Sequence, residues 1–322
     1  MKKLWQRFAL GLIGLTALAG TASAQDSYPD RPIHVSLGFA AGSGADILAR
    51  YFTQQLEKVA KQPVIVDNKP GATGNIALRS VFEAKPDGYT ILFSANSNMA
   101  GSRFLFKDLP FDTIKDFVPV ASFAQIAFVM VVSPKSPINT VAEMTAFLKK
   151  KKDNLYGYTN QTAQLSTEYY KQIAGVEAKG VSYKATPDAM RDIIEGTLDF
   201  MIVDGTFGAG QIKQGQLKAL ALTTKERIPT LPDTPTMQEA GVPNYEFSPW
   251  WAAYLPKGTP QPIVDKLQGY FLQIDAMPET AKFLESVASI PQHDTSKEAD
   301  ARLKAELPRW GTLVKAAGIE PQ

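Results

Sequence analysis

The chain of 322 residues contains no cysteine, which excludes structural disulfides, thiolate metal centres and a lipid anchor on an N-terminal cysteine. Histidine is almost as scarce. His34 falls inside an apolar, β-rich run and His293 in a late polar turn, so a Ser-His-Asp triad or a histidine-held metal would need these two to meet. No G-x-S-x-G elbow and no H-E-x-x-H helix is present. Asp199 and Asp204 flank the run 200–203 and leave a carboxylate pair open. Beyond the first 24 residues no apolar run reaches the roughly eighteen needed to cross a bilayer. A strong charge of either sign is also missing. Lys and Arg number 34 against 32 Asp and Glu, and without Lys2, Lys3 and Arg7 the basic count falls to 31, which leaves no basic stripe for nucleic acid. The chain is read as not an enzyme, with no cofactor and no metal.

Those three cations open a secretory signal: they precede an apolar run over 8–19 and the small residues Ala22, Ser23 and Ala24, so cleavage is expected after Ala24. The mature chain then starts at Gln25 and is expected to be a free periplasmic monomer. Lys149, Lys150, Lys151 and Lys152 end an amphipathic helical pattern, where cations favour the helix dipole, and read as a solvated helix end.

Roughly 300 residues exceed what one core fills, so two domains are expected. Apolar β-rich runs alternate with helical patterns, first over 33–93 and again over 128–223, which predicts two α/β units with mostly parallel sheets flanked by helices. Thr140 with Glu143, and Thr236 with Glu239, have capping-box spacing. Thr186-Pro187 and Thr259-Pro260 place a cap beside a proline suited to the first helical turn. From Ile263 to Ala316 the pattern is helical apart from a turn at Ile290-Pro291, with no strand. The crossings between lobes are placed near 126–131 and 248–254, giving a first lobe of 25–128 plus 252–322 and a second of 129–251.

Phe39-Ala40-Ala41-Gly42-Ser43-Gly44-Ala45-Asp46 follows a strand pattern and opens a helix, so its backbone amides can face an anion. Ser43 and Asp46 also suit a plain cap. The segment lacks the third glycine of a dinucleotide fingerprint and the lysine of a phosphate loop. Pro70-Gly71-Ala72-Thr73-Gly74-Asn75 and Asn160-Gln161-Thr162-Ala163-Gln164 are built alike, at strand ends where α/β sheets bind ligands.

These segments together resemble the periplasmic binding proteins of tripartite tricarboxylate transporters, the Bug-type family. The likeness runs through Tyr28-Pro29-Asp30-Arg31-Pro32-Ile33, the first loop, and Val66-Asp67-Asn68-Lys69-Pro70-Gly71 with the residues that follow to Ile76. It continues through Pro86-Asp87-Gly88-Tyr89-Thr90, Lys115-Asp116-Phe117-Val118-Pro119, Tyr183-Lys184, Leu231-Pro232-Asp233-Thr234-Pro235-Thr236, and the end from Trp310 to Pro321. The resemblance implies a two-lobed Venus flytrap that holds a small dicarboxylate or aromatic carboxylate by amides and hydroxyls rather than arginine and delivers it to the transporter's membrane components. A sensory receptor presenting the same ligand would need the same lobes. The residues expected at the ligand are Phe39, Gly42, Ser43, Gly44, Ala45 and Asp46 in the first loop, Asn96 and Ser97, then Tyr158, Thr159, Asn160, Gln161, Thr162, Gln164, Tyr183, Asp204 and Phe207. Ala40-Ala41, Gln164 and Val203-Asp204 depart from the family's usual pattern.

Overall fold

The computed structural model describes residues 28–184, 186–316 and 318–321, so the signal-peptide reading over 1–24 lies outside the described residues. The first sheet contains β1 (Ile33–Leu37), β2 (Val64–Asn68), β3 (Thr90–Ala95), β4 (Phe117–Ile126), β10 (Trp250–Pro256) and β11 (Ser289–Pro291), in the order β11-β4-β10-β3-β1-β2. The second contains β5 (Phe128–Val132), β6 (Leu155–Tyr158), β7 (Lys179–Ser182), β8 (Phe200–Asp204) and β9 (Lys218–Leu222), in the order β7-β6-β8-β5-β9.

Both sheets are mixed rather than mostly parallel. The parallel part comes from strand-helix-strand units, β1 with β2 and β3, and β6 with β7 and β8. The antiparallel part comes from strands that change sheets: β10 runs against β3 and β4, and β5 against β8 and β9. A strand that enters a sheet from the other lobe comes in through the shared end and so runs against its neighbours. Ala127 alone separates β4 in one sheet from β5 in the other. The chain returns between Leu222 and Trp250.

Strand β11 corrects the expectation of a turn at Ile290-Pro291. Three residues are too few to show a period of two, and the strand sits at the sheet edge, where proline costs no ladder bond. A second correction concerns Thr236 and Glu239. Their capping-box bonds form, Glu239 N–H to Thr236 Oγ1 at 3.2 Å and Thr236 N–H to Glu239 Oε2 at 2.8 Å, yet only a turn follows. Gly241, at φ +90°, takes the chain out of the helical region before a helix can extend.

Elsewhere the local signals produce helices. In α1 (Gly44–Ala60) Ser43 caps the first turn, and Leu48, Phe52 and Leu56 bury one face at a spacing of four. Helices α2 (Asn75–Phe82) and α3 (Asn96–Leu105) complete the crossovers of the first sheet. In the second unit α4 (Val141–Lys150) starts on the Thr140/Glu143 capping box, followed by α5 (Gln161–Ala174), α6 (Thr186–Glu195) and α7 (Gly205–Lys213). After β10 come α8 (Gln261–Asp275), α9 (Pro278–Ser286) and α10 (Ser296–Ala316). Of these, α8 packs on β4 and α1, and α10 on β4 and α3, which returns the C-terminal segment to the first sheet.

Glu306 on α10 ties that segment to the return crossing. It accepts from Asn96 Nδ2 at 2.6 Å and from Trp250 Nε1 at 2.9 Å, while Asn96 Oδ1 accepts from the Trp250 amide at 3.1 Å. Trp250 is fully buried, so removing the carboxylate strands two donors. Glu306→Ala is expected to cost about 1–3 kcal/mol, read as a lower urea midpoint. An unchanged midpoint would show that the network does not hold the crossing.

Candidate functional site

Four strand ends lead straight into helix starts around one cleft between the two sheets: the loop after β1 into α1, Thr159-Asn160 after β6 into α5, Lys184 before Thr186-Pro187 into α6, and Asp204 into α7. The cleft has a volume of about 330 Å³. A larger hollow, about 570 Å³, lies between β4, α8 and α10, but it draws on the first sheet's side alone. The cleft receives both sheets and four helix N-termini, and each N-terminus carries partial positive charge and backbone N–H groups beyond its helix's own bonds.

In the first loop the Ser43 amide donates to Ala40 O at 3.3 Å and the Gly42 amide to Asp46 Oδ2 at 2.9 Å. Asp46 N–H turns back to Ser43 Oγ. The next amides in line, Gly44 and Ala45, border the cleft. Asp46 itself faces away. It is buried, accepts from Arg50 Nε at 2.8 Å and from Asn68 Nδ2 at 2.9 Å, and so braces the loop from behind. Asn68 Nδ2 also donates to Phe39 O at 3.0 Å. Burial pushes the Asp46 carboxyl up, but the hydrogen bonds from Arg50, Gly42 and Asn68 outweigh it and hold the group below its ordinary value. Gly38 allows the neighbouring loop to pass: a Cβ there would stand 2.6 Å from Gly74 Cα.

On the second side Asn160 Oδ1 caps α5 by accepting from the Ala163 amide at 2.9 Å. Thr162 Oγ1 donates to Ser97 Oγ at 2.9 Å, a buried bond that joins α5 to α3. Asp204 is the last residue of β8, opposite Phe128 in register, and its Oδ1 accepts from the Thr206 amide at 2.7 Å. Burial pushes this carboxyl up, against the opposing pull of the Thr206 and Phe207 donors. The Gly205 amide donates to Ala127 O at 2.8 Å, fixing the start of α7 to the residue where the chain changes sheets. Only glycine fits there, since a Cβ would meet that same oxygen at 2.5 Å.

Of the residues expected at the ligand, Phe39, Gly42, Ser43, Gly44, Ala45, Thr159, Asn160, Thr162, Asp204 and Phe207 line the cleft. Asp46 and Asn96 are held behind it by the bonds described above, and Ser97 accepts from Thr162. Gln161 and Gln164 lie half-buried on α5, outside the lining. Tyr158 packs against Tyr156, with ring centroids 5.9 Å apart. Tyr183 donates to Asp192 Oδ2 at 2.6 Å, and burial together with that bond pushes its hydroxyl up to about 12. Asp199 and Asp204 sit at opposite ends of β8 and form no pair; Asp199 instead binds Lys151 Nζ at 2.6 Å. The two histidines lie beside different aspartates, His34 at Asp67 and His293 near Asp275. Among the described residues no cluster of three or more His, Cys, Asp or Glu could hold a metal.

Lining residues not expected from sequence are Ala40, Ala41 and Ala95, then Lys184, Thr186 and Pro187, and the apolar wall of Ile126, Phe128, Val203, Pro249 and Trp251. Lys184 could have been found, because it stands at a strand end before a helix cap like the other three loops. The wall comes from strands that cross between sheets, so its placement depends on pairing register. Phe39 and Trp251 face each other with ring centroids 5.2 Å apart.

Comparison with known proteins agrees with this architecture. The sequence profile of the tripartite tricarboxylate transporter family receptor matches residues 48–319. A UPF0065 protein of Bordetella bronchiseptica is 34% identical over 95% of this chain and 92% of its own. The solved structure of R. palustris Rpa4515 with adipate superposes with a TM-score of 0.86 at 30% identity, covering 92% of this chain and all of that one. The periplasmic binding protein BugD superposes with a TM-score of 0.84 at 30% identity and the same coverage. With the profile spanning most of the sequence and the two-lobed architecture shared throughout, the chain belongs to the tripartite tricarboxylate transporter receptor family, a family of periplasmic solute-binding receptors rather than enzymes.

Proposed function

We propose that this protein captures a small carboxylate, aromatic or dicarboxylic, by closing its two lobes, and delivers it to the membrane components of a tripartite tricarboxylate transporter. The observation that carries this reading is the convergence of four helix starts on one cleft with apolar walls. Helix N-termini supply amide donors and positive potential without a mobile side chain, which suits a ligand that must be released again. The lobes that close are the two sheets with their helices, the first running to Ile126 and resuming at Trp250, the second lying between Phe128 and Pro249, and they move about Ala127 and the return crossing. The protein acts as a monomer, in the periplasm, after removal of residues 1–24.

The walls favour a ligand with a flat or extended apolar body. Phe39 and Trp251 on one side and Phe128 and Phe207 on the other offer rings to stack on, and such pairs form at centroid distances of about 4.5–7 Å. A thermal-shift screen over aromatic carboxylates, linear dicarboxylates, citrate and acidic amino acids tests both parts. A ligand at a hundred times its Kd should add about 2.7 kcal/mol of apparent stability, and stacking on Trp251 should change tryptophan fluorescence. Failure of every carboxylate to shift the melt would refute capture. Tightest binding of citrate with no aromatic binding would refute the flat body alone.

A further inference from the structure

The first-sheet loop and the second-sheet carboxylate come together at one point of the cleft. A Cβ built on Gly44 would lie 3.0 Å from Asp204 Oδ1 and 3.1 Å from Oδ2, so the carboxylate rests directly against the first residue of α1. Asp204 therefore places carboxyl oxygens against the first loop, beside the Gly44 and Ala45 residues that border the cleft. Its hold on the Thr206 amide, together with the Gly205 amide bound to Ala127 O, keeps it there. The cleft's cationic side chain, Lys184, belongs to another loop, the one that opens α6.

A ligand carboxylate entering beside Asp204 would set its oxygens against the Asp204 oxygens, a repulsive contact, whereas a ligand N–H or O–H meets an acceptor held in place. The second-sheet loops of Asn160, Lys184 and Thr186 offer a carboxylate amides and a cation without that repulsion. We propose that Asp204 sets the ligand class: it accepts a hydrogen bond from a donor on the ligand, so the protein selects a hydroxy-, amino- or amido-substituted carboxylate over the unsubstituted acid of the same skeleton. The inference rests on the carboxylate-capture reading and refines which carboxylate is held.

Isothermal titration calorimetry with three matched pairs provides the test: 4-hydroxybenzoate with benzoate, malate with succinate, and glutamate with glutarate. Wild type should bind the donor-bearing member of whichever pair it accepts at least 10-fold more tightly. In Asp204→Asn the side-chain oxygen can still cap Thr206 while the amide NH₂ turns toward the ligand, so acceptor becomes donor and the preference should shrink or reverse. Asp204→Ser, which caps α7 but cannot reach the ligand, should lose the preference without reversing it, and serves if the Asn variant misfolds. Equal affinities within each accepted pair, or a preference unchanged in both variants, overturns the selection by Asp204 while leaving carboxylate capture in place. Absence of binding by every carboxylate, in these pairs and in the wider screen, overturns the capture reading and this inference with it.

Discussion

Asp275→Asn is expected to stabilise the protein strongly at neutral and alkaline pH and hardly at all near pH 4. Asp275 is the last residue of α8, its side chain is 1% exposed, and neither carboxyl oxygen has a hydrogen-bond partner. His293 Nδ1 stands 3.8 Å away, beyond hydrogen-bond reach. Burial pushes this carboxyl up to about 9. The carbonyl end of α8 adds negative potential of its own. In the unfolded chain the group titrates near 3.9. The folded state thus binds a proton that the unfolded state releases, and stability falls as pH rises from about 4 to about 9, by about 1.4 kcal/mol per pH unit. At pH 7 the accumulated cost is about 4 kcal/mol. Asparagine has the same shape, is also polar, and does not ionise. Its advantage should therefore grow with pH, reaching a melting-temperature gain of roughly 10 °C at pH 7 to 8. Melts of both proteins at pH 4.5, 6 and 8 would check it. A gain that did not change with pH would show that the carboxyl is not held protonated by burial.

What was legible in the sequence divides along the reach of each interaction. Ser43, Thr140 and Asn160 announce helix starts because a cap bonds to an amide three residues on. Strand-to-helix loops are equally local, and the lining they contribute is the part foreseen. Asp46 and Asn96 are expected in the ligand's shell for their position alone, but each is also held by a residue far along the chain: Asn68, which joins the local Arg50 and Gly42 on Asp46, is 22 residues away, and Glu306 is 210 residues from Asn96. No local spacing reveals such a bond. The apolar wall escaped notice for the same reason, since Phe128 and Trp251 become neighbours of the loops only through strand pairing between distant segments. The Thr236/Glu239 pair shows the converse limit. Its local bonds form as spaced, and the helix still fails because the next residues turn away.

The second large effect is expected from Gly44→Val, which should weaken every carboxylate by 100-fold or more and leave the fold stable. Gly44 is the first residue of α1 and its φ lies outside the left-handed region, so a side chain there strains no backbone. The new Cβ would meet the Asp204 carboxylate at 3.0–3.1 Å, and the two methyl groups of valine reach further still. Asp204 belongs to β8 of the second sheet and α1 follows β1 of the first, so the contact that fails lies between the lobes and not within either. Relief comes by parting them, which withdraws one helix start from the ligand. A 100-fold loss corresponds to about 2.8 kcal/mol, within the range of an overpacked contact. Gly38→Ala makes the contrasting case. Its Cβ would press on the backbone of Gly74 at 2.6 Å inside the first lobe, and there the urea midpoint itself should fall. Calorimetry, urea unfolding and ligand-induced compaction by small-angle scattering separate the two. Gly44→Val should keep the wild-type midpoint and lose both affinity and compaction. Full affinity in a folded Gly44→Val protein would remove the first loop from the binding site, and a midpoint that fell in step with affinity would make the defect one of folding. The variant also complements Asp204→Asn, because closing the space beside Gly44 penalises all carboxylates alike, whereas changing the acceptor reorders them.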